Sequence, residues 1–386
     1  MNLNSLIYLD NNATTRVDPA VVHAMLPYWS DCYLNPASAA GEMFGASTPL
    51  QDAKDGLASL LGGEPDEFVL TGGATEANNW VLQSIVAEAL RDNGKCHIVI
   101  STIEHPSIME TAQILSEWYP SLKVDLLPVD VNGVVQVEML LEVVTAETSL
   151  VSIMLANNET GVIQPVAKAA SIVKSINPAC VFHTDATQAV GKTVVDLDGD
   201  FGLVDLLSLS AHKFHGPKGI GALFVRATMH LDPFTHGGAQ QGGRRAGTEN
   251  PAAAAGLGAA LRLLGGNAGI LANATSIQKL RDQFESLITS FNPAIRVLGQ
   301  RASRLSNTSL LFFPELEGEM VVHRLLEQQI VASTGSACSN GSDRPSHVVT
   351  AMGLPFTKSG NVARFSFGST NSQEDVTKTV AAVAAL

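Results

Sequence analysis

Positive charge is scarce in this sequence. It has 24 lysines and arginines against 37 aspartates and glutamates, which gives a formal net charge of −13. Phosphate repels a chain of that charge, so the composition argues against a protein that binds nucleic acid independently of its sequence. It argues equally against docking on an anionic membrane surface.

Long apolar runs and clustered cysteines are missing as well. No run of about 18 apolar residues occurs, so we expect no membrane-spanning helix. The first residues, "MNLNSLIYLDNNATT", lack the basic and apolar regions of a secretory signal. The four cysteines, Cys32, Cys96, Cys180 and Cys338, form no C-x-x-C pair and no Cys/His cluster with zinc-finger spacing. We therefore expect no disulfide framework and a reduced, cytoplasmic protein.

What the sequence does have is an alternation of short apolar runs with helical patterns. Its 386 residues, 45% of them hydrophobic, are enough for two or three domains. Continuous apolar segments such as 96–101, 149–157 and 204–210 are typical of strands covered on both faces. The segment after residue 73 repeats apolar residues every four positions and predicts a helix that ends at Asn93. We predict an α/β domain with a mostly parallel seven-stranded sheet.

The pattern changes after residue 230. A glycine-rich loop, "HGGAQQGGRRAGTENP", leads into an alanine-rich helix, and shorter strands and helices follow. The last helix is predicted to begin at Ser372, with Asp375 in a capping-box position. We predict a large α/β domain and a smaller α+β domain, and the pattern alone allows the N-terminal strand in either. We assign residues 18–262 to the large domain, and residues 1–17 and 263–386 to the small one.

The segment "SLSAHKFHGPKG" places Lys213 directly after a strand of the buried type. Ser210 and His212 lie just before it, and a Gly-Pro turn follows. A lysine at a strand end among small hydrogen-bonding groups suits a Schiff base with an aldehyde cofactor. A surface lysine beside a turn would give the same local pattern, so this motif does not decide the matter alone.

A second strand ends in the acidic segment "HTDATQAVGK". Asp185 would supply the negative charge that keeps the pyridine nitrogen of such a cofactor protonated. Gln188 follows one helical turn later. An aspartate that only caps a helix is the simpler interpretation, and Asp185 could serve both purposes.

Three further strand ends carry polar residues. In "TGGATEANN", the backbone N–H groups near Ala74 and the Thr75 hydroxyl lie where a strand becomes a helix, which is a phosphate-binding arrangement. The glycines match neither a dinucleotide nor a triphosphate motif. His105, in "TIEHPS", could stack on a flat ring and move protons. An isolated histidine is more often structural. Asn157, in "ANNETG", follows a further strand and could donate a side-chain hydrogen bond.

The polar residues named so far follow five different apolar strands. In open parallel sheets, ligands bind at the carboxyl edge of the strands. Thr75, His105, Asn157, Asp185 and Lys213 are therefore expected to converge on one site, and this convergence is stronger evidence than any single motif.

Eight blocks of the sequence together resemble a known family. They are "YLDNNATTRVDP", "GGATEANN", "IEHPS", "ANNETG", "DATQAVGK", "SAHKFHGPKG", "GGRRAGTEN" and "STGSACS". In this order they are similar to the blocks of cysteine desulfurases of the NifS/IscS type, which are class V members of the fold-type I pyridoxal-phosphate enzymes. The resemblance runs from about residue 7 to the C-terminus, and "RRAGTEN" is closer to the NifS branch.

The resemblance implies a set of contacts with pyridoxal 5′-phosphate. Lys213 is implied to bond covalently to the cofactor aldehyde, Asp185 to pair with the ring nitrogen, and His105 to stack on the ring and shuttle protons. The remaining contacts are implied for Ala74, Thr75, Ser210 and His212 around the phosphate, and for Gln188 and Asn157 at the ring hydroxyl. Thr248 would reach the phosphate of a neighbouring subunit, which implies a homodimer.

The resemblance also implies a substrate and a nucleophile. Cys338 is implied to take sulfur from L-cysteine as a persulfide, leaving L-alanine, and to pass it to a sulfur-acceptor or iron–sulfur scaffold protein. Such an acceptor could serve iron–sulfur cluster assembly, nitrogenase maturation or tRNA thiolation. Arg364 is implied to bind the substrate carboxylate, with Asn157 and Asn35 as further substrate contacts. A polar loop suits a thiol that must reach both substrate and acceptor.

Two positions depart from the family pattern. Gly72 stands where many relatives have a serine, which removes a hydroxyl but keeps the backbone donors. The chain ends at Leu386, soon after the last helix, whereas longer relatives carry a tail that helps to hold a scaffold protein. Docking on such a partner is therefore a weaker expectation here.

Other functions fit part of the pattern. Another class V enzyme, such as an aminotransferase or a selenocysteine lyase, would share the lysine and aspartate blocks, but transamination needs no thiol at Cys338. A protein that binds only a partner would carry no cofactor. Cys338 could also supply one ligand to a transient iron–sulfur cluster shared with a partner, because a complete site usually needs four ligands.

Overall fold

The computed structural model describes residues 5–335 and 346–386. The strands in these ranges are β1 (Ile7–Tyr8), β2 (Phe68–Thr71), β3 (Cys96–Ser101), β4 (Leu122–Leu127), β5 (Thr148–Ser152), β6 (Val181–Asp185), β7 (Leu206–Ser210), β8 (Gly221–Val225), β9 (Arg296–Leu298), β10 (Thr308–Phe312), β11 (Ile330–Val331) and β12 (Val362–Ser366). The helices are α1 (Pro19–Met25), α2 (Pro27–Ser30), α3 (Ala39–Met43), α4 (Thr48–Leu61), α5 (Ala74–Asn93), α6 (Pro106–Trp118), α7 (Leu140–Val143), α8 (Val166–Ile176), α9 (Pro251–Leu263), α10 (Gly266–Phe291), α11 (Gly318–Glu327), α12 (His347–Ala351) and α13 (Gln373–Ala384).

A seven-stranded sheet organises the larger part of the chain. Its order is β2-β8-β7-β6-β5-β3-β4. Strand β8 is antiparallel to both of its neighbours, and the other pairings are parallel. Six strands therefore point the same way, and their carboxyl ends lie at one edge of the sheet. The predicted mostly parallel seven-stranded α/β sheet is confirmed.

Apolar residues cover both faces of this sheet. Every residue of β3, β6, β7 and β8 is buried. Because side chains alternate along a strand, β7 sends Leu207 into a core shared with α4, α8 and α9, and Leu206 into a core shared with α5 and α6. Burial on both faces explains why these strands appear in the sequence as continuous apolar runs.

A second, smaller sheet lies outside the first. Strands β12, β10 and β9 are antiparallel, and α10, α11 and α13 pack near them. Phe284 of α10 contacts Phe365 of β12, with ring centroids 4.8 Å apart. Leu9, next to β1, belongs to the same apolar cluster, and β1 pairs with β11. The small domain of residues 1–17 and 263–386 stays a prediction.

Local signals placed several element ends correctly. Helix α5 ends at Asn93, and Gly94 follows it in the left-handed conformation with a φ of 69°. Ser372 caps α13, and Ser372 and Asp375 form the predicted reciprocal capping box. The 26-residue helix α10 was not predicted, because only a few of its residues, among them Ile270, Ile277, Phe284 and Ile288, form the buried stripe that would reveal it.

No single helix within residues 5–335 and 346–386 is long and apolar enough to cross a membrane. Helices α9 and α10 would pass that test only as a pair, and they are bent by 71° at their junction.

Candidate active site

Lys213 lies at the carboxyl edge of the central sheet. A short 3₁₀ helix, Ala211–Lys213, begins directly after β7 and carries the lysine. Its Nζ donates hydrogen bonds to the main-chain oxygens of Asn12, at 2.7 Å, and Ala13, at 2.8 Å. The side chain is half-buried, and the N-terminal segment therefore fixes where its amine lies.

The turn between β2 and α5 forms a cradle beside Ser210. The first helical N–H, that of Ala74, donates to the Ser210 Oγ at 2.8 Å. Gly73 has a φ of 144°, and a Cβ on Gly221 would lie only 2.8 Å from the Gly73 Cα, so both positions need glycine. Thr75 is exposed in the first turn. First-turn N–H groups and the helix dipole make this a place where a phosphate can bind.

An ion pair braces this cradle from the outside. Glu76 accepts the N–H of Gly72 at 2.8 Å and two hydrogen bonds from Arg245, at 2.9 and 3.1 Å. Arg245 belongs to the glycine-rich loop that also carries Thr248. Thr248 is exposed and lines, with Gly72 and Arg245, a pocket of about 110 Å³. The structure describes one chain, so the reach of Thr248 to a neighbouring subunit stays a prediction.

Asp185 is the last residue of β6 and is buried. Its Oδ2 accepts the side-chain N–H of Asn78 at 2.7 Å, and its Oδ1 accepts the main-chain N–H of Thr187 at 2.9 Å. Asn78 also donates to the Ser107 Oγ at 2.9 Å. The carboxylate is thus held in one orientation. Within the described part of the chain, Asn78 Oδ1 and Thr187 Oγ1 beside it are buried without a hydrogen-bond partner.

Two histidines at this edge are held neutral by burial. His105 caps α6, and its Nδ1 contacts Ser107 Oγ at 2.8 Å. Burial lowers the pKa of His105 and the charge of Lys213 lowers it further, against the opposing charge of Asp185. For His212, burial and then the nearby charge of Lys213 lower the pKa to about 4. Both rings are therefore uncharged at neutral pH.

The amides of Gln188 and Asn157 are already engaged. Gln188 donates to the main-chain oxygen of Asn12 at 3.0 Å and accepts from Lys192 at 2.6 Å. Asn157 is fully buried, and its Oδ1 accepts the N–H groups of Glu159 and Thr160, both at 2.9 Å. Asn157 thus shapes its own loop at this edge. The predicted contacts of both residues with a ring hydroxyl remain predictions.

Arg364 reaches the site from β12. Its side chain is buried, pairs with Asp10 at 2.6 Å, and donates to the main-chain oxygens of Asn158 and Gly335 at 2.9 and 3.1 Å. Its Nε is buried and has no partner among the described residues. Asn35, in contrast, is exposed and bonds within its own turn, where its Oδ1 accepts the N–H of Ala37. The predicted contact of Asn35 with the substrate stays a prediction.

Cys338 lies outside the described residues, but the residues that flank its segment contact the site. Gly335 accepts from Arg364, Ser346 donates to the Glu159 Oε2 at 2.6 Å, and the His347 Nε2 lies 2.9 Å from the main-chain oxygen of Glu104. A Cβ on Gly335 would also lie 2.9 Å from the Glu159 Oε2. Glu159 is therefore adjacent to both ends of the segment.

The other cysteines lie elsewhere. Cys96 begins β3 and Cys180 directly precedes β6, so both lie at the amino ends of their strands, away from the carboxyl edge. Both are buried, and burial raises the pKa of both thiols, that of Cys180 to about 12. Cys32 is half-buried, with its Sγ 3.6 Å from the main-chain oxygen of Phe44.

Sequence reasoning gave no role to three residues that organise the site. Asn12 is buried; its main-chain oxygen accepts from Lys213 and Gln188, and its Oδ1 accepts from Lys192 at 2.9 Å. Asn78 orients Asp185. Each of these residues stands in one of the motif blocks: Asn12 in "YLDNNATT", Asn78 in "GGATEANN" and Lys192 in "DATQAVGK". Their place in these blocks was the sequence signal that could have assigned them to the site.

The described residues contain no group of three or more His, Cys, Asp or Glu side chains that could hold a metal ion. The predicted role of Cys338 as one ligand of a shared iron–sulfur cluster falls outside those residues.

Comparison with known proteins identifies the family. The family model described as aminotransferase class-V matches residues 7–379. The chain belongs to the class-V aminotransferase family. The cysteine desulfurase of Cereibacter sphaeroides is 41% identical over 93% of this chain and 90% of its own. The cysteine desulfurase IscS of Methanosarcina thermophila is 41% identical over 98% of this chain and 91% of its own.

Solved structures agree with this assignment. A structure described as a NifS-like protein superposes on this class-V chain with a TM-score of 0.89, at 34% identity and over 98% of both chains. The structure described as SspA in complex with cysteine gives a TM-score of 0.81 at 32% identity, over 95% of this chain. The predicted fold class and the predicted resemblance to cysteine desulfurases are confirmed.

Proposed function

We propose that this protein is a pyridoxal-phosphate-dependent cysteine desulfurase that converts L-cysteine into L-alanine and carries the sulfur on Cys338. The observation that supports this most is the set of contacts made by the two residues that flank the Cys338 segment. One flank, Gly335, bonds Arg364, and the other, Ser346, bonds Glu159. Cys338 is three residues from Gly335, and three residues of extended chain span at most about 11 Å. Cys338 therefore follows closely in sequence on a residue that contacts Arg364.

The residues at this edge fit pyridoxal phosphate. Lys213 offers an amine for the aldehyde, and Asp185 offers a fixed carboxylate for the ring nitrogen. The cradle around Ala74, Thr75 and Ser210, with His212 close by, offers donors for the phosphate. Asn78 Oδ1 and Thr187 Oγ1, which are buried beside Asp185 and have no hydrogen-bond partner among residues 5–335 and 346–386, are what a site built for a further polar group would leave. When bound, the cofactor supplies an electron sink for charge that develops at the substrate Cα.

The chain's own groups would bind the substrate and move its protons. Arg364 binds the carboxylate, for which its buried Nε–H offers a donor. Lys213 Nζ, directed by Asn12 and Ala13, removes the Cα proton. His105, whose Nδ1 is engaged by Ser107, exchanges protons through Nε2.

Sulfur transfer would follow at Cys338. Its thiolate attacks the substrate sulfur, a sulfur–sulfur bond forms, and the Cβ–sulfur bond breaks with its electron pair left on the carbon fragment. Protonation of that fragment gives alanine, and the persulfide then passes its outer sulfur to an acceptor thiol. We propose that the acceptor is a protein of iron–sulfur cluster assembly, and that the active form is a homodimer in which Thr248 approaches the neighbouring subunit's phosphate.

The test is Cys338→Ser, with Cys32→Ser as the matched control. We expect C338S to form no persulfide and to lose alanine formation from L-cysteine, and C32S to retain both. Lys213→Ala should lose the visible absorbance of covalently bound cofactor. Alanine and persulfide formation by C338S at a rate near wild type would overturn the role of the thiol.

A further inference from the structure

Glu76 places a negative charge on the turn that is proposed to hold the cofactor phosphate. Its Oε2 accepts the main-chain N–H of Gly72 at 2.8 Å, and Gly72 lies two residues before Ala74, the first residue of α5. Two residues of chain span at most about 7 Å. A carboxylate is therefore bound to the same turn as the proposed phosphate donors, and two anionic groups that close together repel each other.

Arg245 compensates this charge. Its Nε lies 2.9 Å from the Glu76 Oε1 and its Nη2 lies 3.1 Å from the Oε2, so the guanidinium binds both carboxylate oxygens. The two side chains are only 26% and 21% exposed, and a partly buried pair is screened less by salt than a surface pair. The hydrogen bond to Glu76 raises the pKa of Arg245, so the guanidinium is charged at neutral pH.

The chain around the turn accommodates this ion pair. A Cβ on Gly72 would lie 2.8 Å from the Glu76 Oε2, so the carboxylate approaches the turn this closely because residue 72 has no side chain. Arg245 comes from the glycine-rich loop, which is fastened to β2 by Gln241. The side-chain amide of Gln241 bonds both the N–H and the main-chain oxygen of Leu70, at 2.7 and 2.8 Å. The loop is therefore held beside the strand that leads into the cradle.

We propose that Arg245 is a positioning residue of the phosphate cradle: it holds and neutralises Glu76, and so allows an anionic phosphate to bind beside that carboxylate. The inference rests on the proposed function, in which this turn holds the phosphate of pyridoxal phosphate. Without Arg245 the phosphate would meet an uncompensated carboxylate, whereas a ligand that lacks the phosphate would not experience this repulsion. Glu249 also acts on Arg245, but within residues 5–335 and 346–386 the ion pair of Arg245 is with Glu76.

The experiment compares pyridoxal 5′-phosphate with pyridoxal, which has no phosphate, in fluorescence titrations of the full-length apoprotein. Arg245→Met should raise the dissociation constant of pyridoxal phosphate about 3- to 50-fold, as expected for one uncompensated charge roughly 7 Å away, and that of pyridoxal less than about twofold. Adding Glu76→Gln to R245M should restore most of the lost affinity. Arg245→Lys keeps the charge and should stay close to wild type. Arg244→Met is the matched control, because it removes a charge from the same loop without touching Glu76.

Three results would overturn the proposal: unchanged binding of pyridoxal phosphate by R245M, equal weakening of both ligands, which would indicate a purely structural role, or no recovery when E76Q is added. If R245M does not fold, as judged by circular dichroism, Arg245→Gln replaces it, because its uncharged amide can still bond Glu76. Failure of the proposed function is seen separately, as absence of alanine and persulfide formation from L-cysteine by the holoenzyme, and it leaves the measured affinities valid.

Discussion

Glu104 offers a quantitative test of the structure next to the proposed site. Its carboxyl group is fully buried, and its Oε1 accepts from Ser101 Oγ and, at 2.7 Å, from the N–H of Met154. Its Oε2 is buried and has no hydrogen-bond partner in the described part of the chain. Burial raises the pKa of Glu104 from 4.5 to about 8, against the lowering effect of those two hydrogen bonds. The group is therefore a neutral acid at pH 7.

The perturbation is Glu104→Gln, which keeps the shape and the neutral state. In the wild type, the folded chain retains a proton between pH 4.5 and about 8 that the unfolded chain has lost. The free energy of unfolding must therefore fall as the pH rises through this window. At about 1.4 kcal/mol per pH unit, the wild type should lose about 3 to 4 kcal/mol relative to E104Q between pH 5 and pH 8.

The assay is urea unfolding of both proteins in steps from pH 5 to pH 9. The exposed Glu142, on α7, gives the matched control Glu142→Gln, which removes one carboxylate without altering the core. We expect the stability difference between wild type and E104Q to grow up to about pH 8 and then to level off. A difference that stays constant across this range would refute the assignment of a buried, protonated carboxyl group.

Three further changes test other parts of the account. Ser210→Ala removes a hydroxyl that is proposed to donate to the phosphate and that fixes the Ala74 N–H, and it should weaken pyridoxal-phosphate binding by about 5- to 30-fold in a fluorescence titration of the apoprotein; an unchanged dissociation constant would contradict the cradle. Gly72→Ser places a Cβ 2.8 Å from the Glu76 Oε2, an atom that Arg245 holds in place by a hydrogen bond. The substitution should therefore lower the free energy of unfolding, measured in urea, by about 1 kcal/mol. Greater stability of the variant would show that Glu76 moves freely. Ser372→Ala breaks the capping box of α13 and should lower the unfolding free energy by about 1 kcal/mol, whereas the exposed Ser276→Ala should not.

Much of the central sheet could be predicted because its signals are local. A strand buried on both faces must be apolar throughout. The predicted strand 96–101 therefore coincides with β3, and the predicted strand 204–210 contains β7. Parallel strands end at one edge, so polar residues after successive strands had to converge there. Asp185, Ser210, Lys213 and His105 therefore lie where the sequence places them.

What could not be predicted depends on contacts between distant parts of the chain. Asp10 pairs with Arg364 across 354 positions, and Asn12 bonds Lys192 and Lys213 across 180 and 201 positions. The residues around Asp10 and Asn12 show no local pattern that would indicate which distant residues they contact in the folded chain.

The most direct test of the central claim is to locate the sulfur. The protein loaded with pyridoxal phosphate is given L-cysteine without an acceptor, trapped with an alkylating agent and mapped by mass spectrometry. We predict one additional sulfur atom on Cys338, none on Cys32, Cys96 or Cys180, and alanine formed in equal amount. Sulfur on another cysteine, or alanine formed in a single turnover with none on Cys338, would contradict it.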